Sequence, residues 1–122
     1  PGDSENVLTV GALTKDLQNA EFSSVGNTSD GRIKPDLMAI GVSSVVSGND
    51  GTVSKANGTS FASPTMCGVV TCFWQACPWL TAKEVIKAVQ QAGDRVDYPD
   101  NIYGYGVPNL WKAYQKELEK KK

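Results

Sequence analysis

Apolar and β-branched residues run together at 7–13, V-L-T-V-G-A-L, before the polarity of the chain switches. A run of that length and composition, ended by polar residues, predicts a buried strand. Residues 14–34 are rich in Ser, Asn, Gly, Asp and Thr and include F-S-S-V-G-N-T-S-D-G, which predicts a surface loop with several turns. D-L-M-A-I at 36–40 predicts a second buried strand, ended by Gly41. In the stretch 42–58, two short β-branched runs flank Gly48-Asn49-Asp50-Gly51, the pattern of a hairpin.

The character changes at Thr59. T-S-F-A-S-P-T-M-C-G-V-V-T-C-F-W-Q-A-C carries no charge and is apolar on nearly every side, so it predicts a buried helix. Proline is tolerated in the first turn of a helix, where its missing N–H is not needed, so Pro64 is expected there. That places Ser60 at or just before the helix N-terminus, and Pro78 ends the helix. Thr81 then caps a second helix, with Glu84 completing a T-x-x-E capping box. Its apolar face is Val85, Ile86, Val89 and Ala92, and Gly93 terminates it. Residues 94–107 are irregular and contain Y-G-Y-G. Pro108 starts a last amphipathic helix bearing Leu110, Trp111, Tyr114 and Leu118. Strand, strand, hairpin and three helices make an α/β pattern. Two buried parallel strands are a poor sheet by themselves, so part of the domain is expected upstream.

Composition narrows the function classes. A chain of 122 residues holds one domain and one modest core. A net charge of −1 gives no global field for nucleic acid or an anionic membrane. No stretch approaches the roughly 20 apolar residues of a membrane-spanning helix. The charge run K-E-L-E-K-K-K at 116–122 reads as a solvated helix end. Because the chain starts at Pro1 and runs almost directly into a strand, it reads as a piece of a longer protein. Cys67, Cys72 and Cys77 point about 140° apart in succession on a helix. They match no C-x-x-C metal pattern and read as buried thiols.

One stretch carries chemistry: N-G-T-S-F-A-S-P at 57–64. A buried helix N-terminus offers unpaired N–H groups and partial positive charge, which stabilise an alkoxide or an oxyanion where water is scarce. Gly58 lets a substrate backbone approach closely. The plainer reading makes Ser60 or Thr59 only a helix cap. The stretch resembles the nucleophile signature of the subtilisin-like serine proteases (subtilases, peptidase family S8), where G-T-S-x-A-x-P surrounds the catalytic serine. V-L-T-V-G-A-L, F-S-S-V-G, K-P-D-L-M-A-I-G at 34–41 and Y-G-Y-G-V-P-N-L are similar to the segments around it, in family order over residues 5–115.

The resemblance implies that residues 1–122 are the C-terminal portion of a subtilisin-like catalytic domain, a three-layer α/β fold with a parallel sheet, here truncated. It implies Ser60 as the nucleophile, with its backbone N–H as one oxyanion donor. Asn57 and Thr59 would hold the turn and line the leaving-group side. Phe61 stands where the family often has methionine and is expected to pack under the site. The chain contains no histidine. In this family the triad aspartate and histidine, and the oxyanion-hole asparagine, lie upstream. A serine without a base keeps its proton, so the chain alone is expected to be inactive. The chemistry needs no cofactor. Some members bind calcium through carbonyls near the segment matching Pro1–Val7, and Asp3 and Glu5 make a weak site there the one metal expectation. Polypeptide substrates, the upstream half of the same domain as partner, and a secreted or envelope-bound location are likewise implied.

Two other readings compete. A catalytically dead relative would use the fold for binding. A G-x-S-x-G elbow hydrolase would need a strand leading straight into the serine and a histidine after it; K-A-N-G reads as a turn, and no histidine follows. The uncovered serine helix and first strand would expose apolar surface and a strand edge around Val7–Val10, which invites a dimer or swapped oligomer.

Overall fold

The structure is a computed structural model describing residues 1–121. Its elements are β1 (Val10–Leu13), β2 (Leu37–Ile40), β3 (Ser44–Ser47), β4 (Val53–Ala56), α1 (Thr59–Ala76), α2 (Ala82–Gln91) and α3 (Leu110–Lys121). β1 and β2 pair in parallel, Val10 opposite Leu37 and Leu13 opposite Ile40. β3 and β4 pair antiparallel as the predicted hairpin, Ser44 opposite Ala56. α1 packs on the parallel pair, and α2 and α3 pack against α1. Leu37, Met66, Phe73, Cys77, Leu80, Val85, Val89 and Ala113 form the main core.

Several elements follow from local chemistry. Thr81 accepts the Glu84 amide through its side chain, and Glu84 accepts the Thr81 amide, so the capping box starts α2 as predicted. The glycine-rich turn after α2 covers the edge of β2: the Met38 amide donates to the Gly106 carbonyl at 3.0 Å, and the Tyr105 amide to the Asp36 carbonyl at 2.7 Å. The opposite edge of β1 is half covered. Ser23 Oγ accepts the Ala12 amide and the Ala20 amide donates to the Ala12 carbonyl. In a parallel ladder alternate residues point to alternate neighbours. Val10 therefore points to this same edge, where no partner meets it among the described residues.

Other expectations are corrected. The first strand is shorter than predicted, and regular pairing begins at Val10. Before it, Val7 is held by the Lys34 ammonium and the Thr9 amide by the Asp36 carboxylate, side chains standing in for a ladder partner. α1 is not buried on every side: Ala62, Met66 and Phe73 are buried, while Val69 and Trp74 are exposed. Nothing among the described residues covers the outer face, so apolar composition alone does not bury it. For the same reason Cys67 and Cys72 are exposed and only Cys77 is buried. Pro64 is the sixth residue of α1, beyond the first turn, and supplies no amide to the Ser60 carbonyl. In α3 Leu110 and Tyr114 pack half-buried against the core as expected, but the buried residues are Ala113 and Glu117, and Trp111 is 66% exposed. Small Ala113 allows the close approach that a tryptophan would block. The charge run at 116–122 is solvated except at Glu117, and its last residue lies outside the described residues. The loop before β2 also buries Ala20, Ser23 and Lys34.

Candidate active site

The serine segment is held from two sides. β4 ends at Ala56, two residues turn the chain, and α1 begins at Thr59. K-A is thus strand and only Asn57-Gly58 is turn, which corrects the sequence reading of K-A-N-G. Gly58 is the helix N-cap with φ +152°, a conformation that side chains disfavour. Its amide donates to the Gly41 carbonyl at 2.8 Å, and the Gly41 amide donates to the Leu13 carbonyl at 3.0 Å. The serine turn is therefore fastened to the ends of both parallel strands. On the hairpin side, the Ser43 amide donates to Asn57 Oδ1 at 2.7 Å. That contact across the base of the hairpin has no sequence signal, because Ser43 adopts a positive φ of 54° that its residue type does not announce.

Ser60 is the second residue of α1 and is exposed. It lies inside the helix and not at the cap, and no side chain caps α1 among the described residues. The cap reading of Ser60 and Thr59 therefore does not describe this helix. Its first turn also carries no acidic side chain, so the partial positive charge of its N-terminus is not neutralised from within. Ser60 Oγ makes no hydrogen bond among the described residues, which leaves it free for an incoming group and for a base. Two residues on, Ala62 is fully buried in a cluster with Ala12 and Ala20, which seats the helix start on the parallel pair. Phe61 is half-buried, with its ring beneath Gly58. Thr59 borders an open cleft of about 330 Å³, lined also by Thr9, Gly11, Ser24, Val25 and Asn27. A larger groove of about 1140 Å³ runs between α2 and α3, and no residue of the serine turn lines it.

Asn57, Gly58, Thr59, Ser60 and Phe61 thus follow one another through the turn into α1, and Ser60 among them is exposed. Among the described residues no three carboxylate, thiol or imidazole groups gather as a metal-binding cluster. In the Pro1–Val7 segment, the carbonyls of Gly2, Asp3 and Val7 accept from Thr9 Oγ1, Arg32 and Lys34 respectively. No helix among the described residues is long and apolar enough to cross a membrane.

Comparison with known proteins extends this picture. The model of the subtilase family of peptidases matches residues 1–106. Serine protease AprX of Bacillus subtilis is 37% identical over 89% of this chain and 30% of its own length. Subtilisin DY of Bacillus licheniformis is 30% identical over 94% of this chain and 39% of its own length. The chain therefore spans well under half of these relatives. Among solved structures, the CspB protease of Clostridium perfringens superposes with a TM-score of 0.85 over 97% of this chain and 28% of that one, at 23% identity. That likeness speaks for the fold.

Proposed function

The chain belongs to the subtilase family, and from that membership we propose that it supplies the nucleophile of a serine endopeptidase whose other catalytic groups lie elsewhere in the protein. Ser60 Oγ attacks the scissile carbonyl and passes its proton to a histidine from outside these residues, itself oriented by an aspartate. The tetrahedral oxyanion is met by the Ser60 amide and the uncapped start of α1. Collapse expels the amine, which takes the proton from the histidine. Water then hydrolyses the acyl-enzyme through the same base. Asn57 and Thr59 shape the leaving-group side, and Phe61 supports the turn from below. The substrate is polypeptide.

The observation that carries this reading is the exposed Ser60 hydroxyl, one residue inside an uncapped helix whose start is clamped to both parallel strands. The absence of histidine from the chain supports a base supplied from elsewhere. The open edge at Val10 and the exposed outer face of α1 suit covering by that same upstream part. Left uncovered, they pair with a second copy; light scattering would show a dimer of the chain alone, and a compact monomer would refute this. Peptide hydrolysis tests the function itself. The intact protein should cleave peptides and the chain alone should not. Ser60→Ala should lose about a millionfold in kcat, the magnitude known for subtilisin. An intact Ser60→Ala variant with native turnover would end the proposal.

A further inference from the structure

Lys34 is an unusual residue for a loop: its side chain is 9% exposed and two of the three N–H groups of its ammonium are held by oxygen. Nζ donates to the Val7 carbonyl at 3.0 Å and to Asp36 Oδ2 at 2.7 Å. Asp36 is itself 4% exposed. The same Oδ2 accepts the Thr9 amide at 2.7 Å, and Oδ1 accepts Gln90 Nε2 at 2.8 Å. One buried charge pair thus joins the approach to β1, the start of β2 and the last turn of α2.

A backbone carbonyl and a carboxylate converging on one point are the donors a calcium ion takes, at 2.3–2.6 Å and six to eight in number. Here the point is already filled. A dication would have to displace a covalently tethered ammonium or sit beside it. A second cation engages the same segment, because Arg32 Nη2 donates to the Asp3 carbonyl at 2.9 Å. The Gly2 and Pro1 carbonyls are also taken, by Thr9 Oγ1 at 2.6 Å and by the Ser4 amide at 3.1 Å. Asp3 and Glu5 are exposed and bring no oxygen to Lys34. The residues present therefore do not fit a calcium site in the Pro1–Val7 segment.

We infer that the Lys34 ammonium is the resident cation of this segment, binding Val7 to Asp36 in place of a metal ion, so that the order of residues 7–10 does not depend on calcium. A buried pair is costly to break by removing one member, because the other charge is left without a partner. Removing the ammonium should free the segment and expose a vacant set of oxygens. The inference stands whether or not Ser60 is a nucleophile.

The test is amide hydrogen exchange of peptides spanning residues 5–12 in the intact protein, in chelator and in millimolar calcium chloride. Native exchange should be the same in both to within about twofold, since a ligand that does not bind the folded state does not shift its opening. Lys34→Ala should exchange at least about tenfold faster in chelator. Propylammonium, which replaces the missing stem and charge, should slow it again. Lys34→Met keeps the apolar stem and removes only the charge, and should exchange as fast as Lys34→Ala. Native exchange slowed about tenfold or more by calcium would overturn the inference. So would a Lys34→Met protein protected as well as the native one. If neither variant folds, the native comparison in chelator and calcium decides alone.

Discussion

Replacing Gly41 by alanine should impair the site without substituting any residue of the serine turn. Gly41 is buried at the end of β2, where its carbonyl holds the Gly58 amide. A Cβ there would stand 2.7 Å from the Gly58 carbonyl oxygen, 2.8 Å from Ala12 Cβ and 3.4 Å from Ala62 Cβ. Non-bonded carbons settle near 3.5–4.0 Å, so the first two contacts are short by roughly 0.5–1 Å. Ala12 and Ala62 are wholly buried and have no rotamer to change, and a backbone carbonyl cannot swing aside. The turn that begins α1 must retreat instead, and Ser60 goes with it. Overpacking of this kind costs about 1–3 kcal/mol of stability. A displacement near 1 Å at a catalytic group costs about a hundredfold in rate, or roughly 2.7 kcal/mol of barrier. The assay is kcat/KM on a peptide substrate together with urea unfolding, both on the intact protein. Thr81→Ala serves as control: it removes the α2 cap far along the chain from Ser60, costs about 1 kcal/mol and should leave kcat/KM unchanged. A folded Gly41→Ala protein with kcat/KM within about threefold of native would refute the clamp between Gly41 and the serine turn.

Two further outcomes follow from the structure. Glu84 has its carboxyl held below the ordinary glutamate value, first by the Thr81 backbone amide and then by the Thr81 hydroxyl. Because the folded value is lowered, this contribution is present above the unfolded glutamate value of about 4.3 and is lost as pH falls through the folded value. Urea midpoints measured from neutral pH downward should show native and Glu84→Gln proteins converging in that acid window; parallel curves would contradict the lowered Glu84 carboxyl. Burial, followed by the nearby Glu117 charge, raises the Cys77 thiol above its ordinary value, whereas Cys67 and Cys72 lie on the open face of α1. In the chain alone, iodoacetamide should alkylate Cys67 and Cys72 and spare Cys77 until unfolding. In the intact protein Cys67 and Cys72 should be protected as well, and equal reactivity there would mean that nothing covers α1.

The parts legible from sequence were those decided by a few neighbouring residues. The hairpin at Gly48–Gly51, the Thr81–Glu84 box and the start of the serine helix all rest on local geometry, and the structure has each of them. What could not be read depends on partners distant in sequence or outside the chain. An uncharged helix predicts burial, yet the outer face of α1 is open because no element among the described residues reaches it. Lys34 and Asp36 look like loop charges beside a strand. They are buried because they neutralise each other and are met by Val7, Thr9 and Gln90, from 27 to 54 residues away in sequence. In α3 Leu110 and Tyr114 of the expected apolar stripe do pack against the core, but Trp111 is exposed and close packing selects Ala113, which no periodicity of large residues reveals.

The central claim concerns one oxygen atom, so the most direct measurement is to ask what bonds to it. The intact protein should react with a fluorophosphonate at a single site, and mass spectrometry should place the adduct on the peptide containing Ser60. Ser60→Ala and heat-unfolded protein should both stay unmodified. An adduct on another residue, or labelling that survives in Ser60→Ala, would contradict the account.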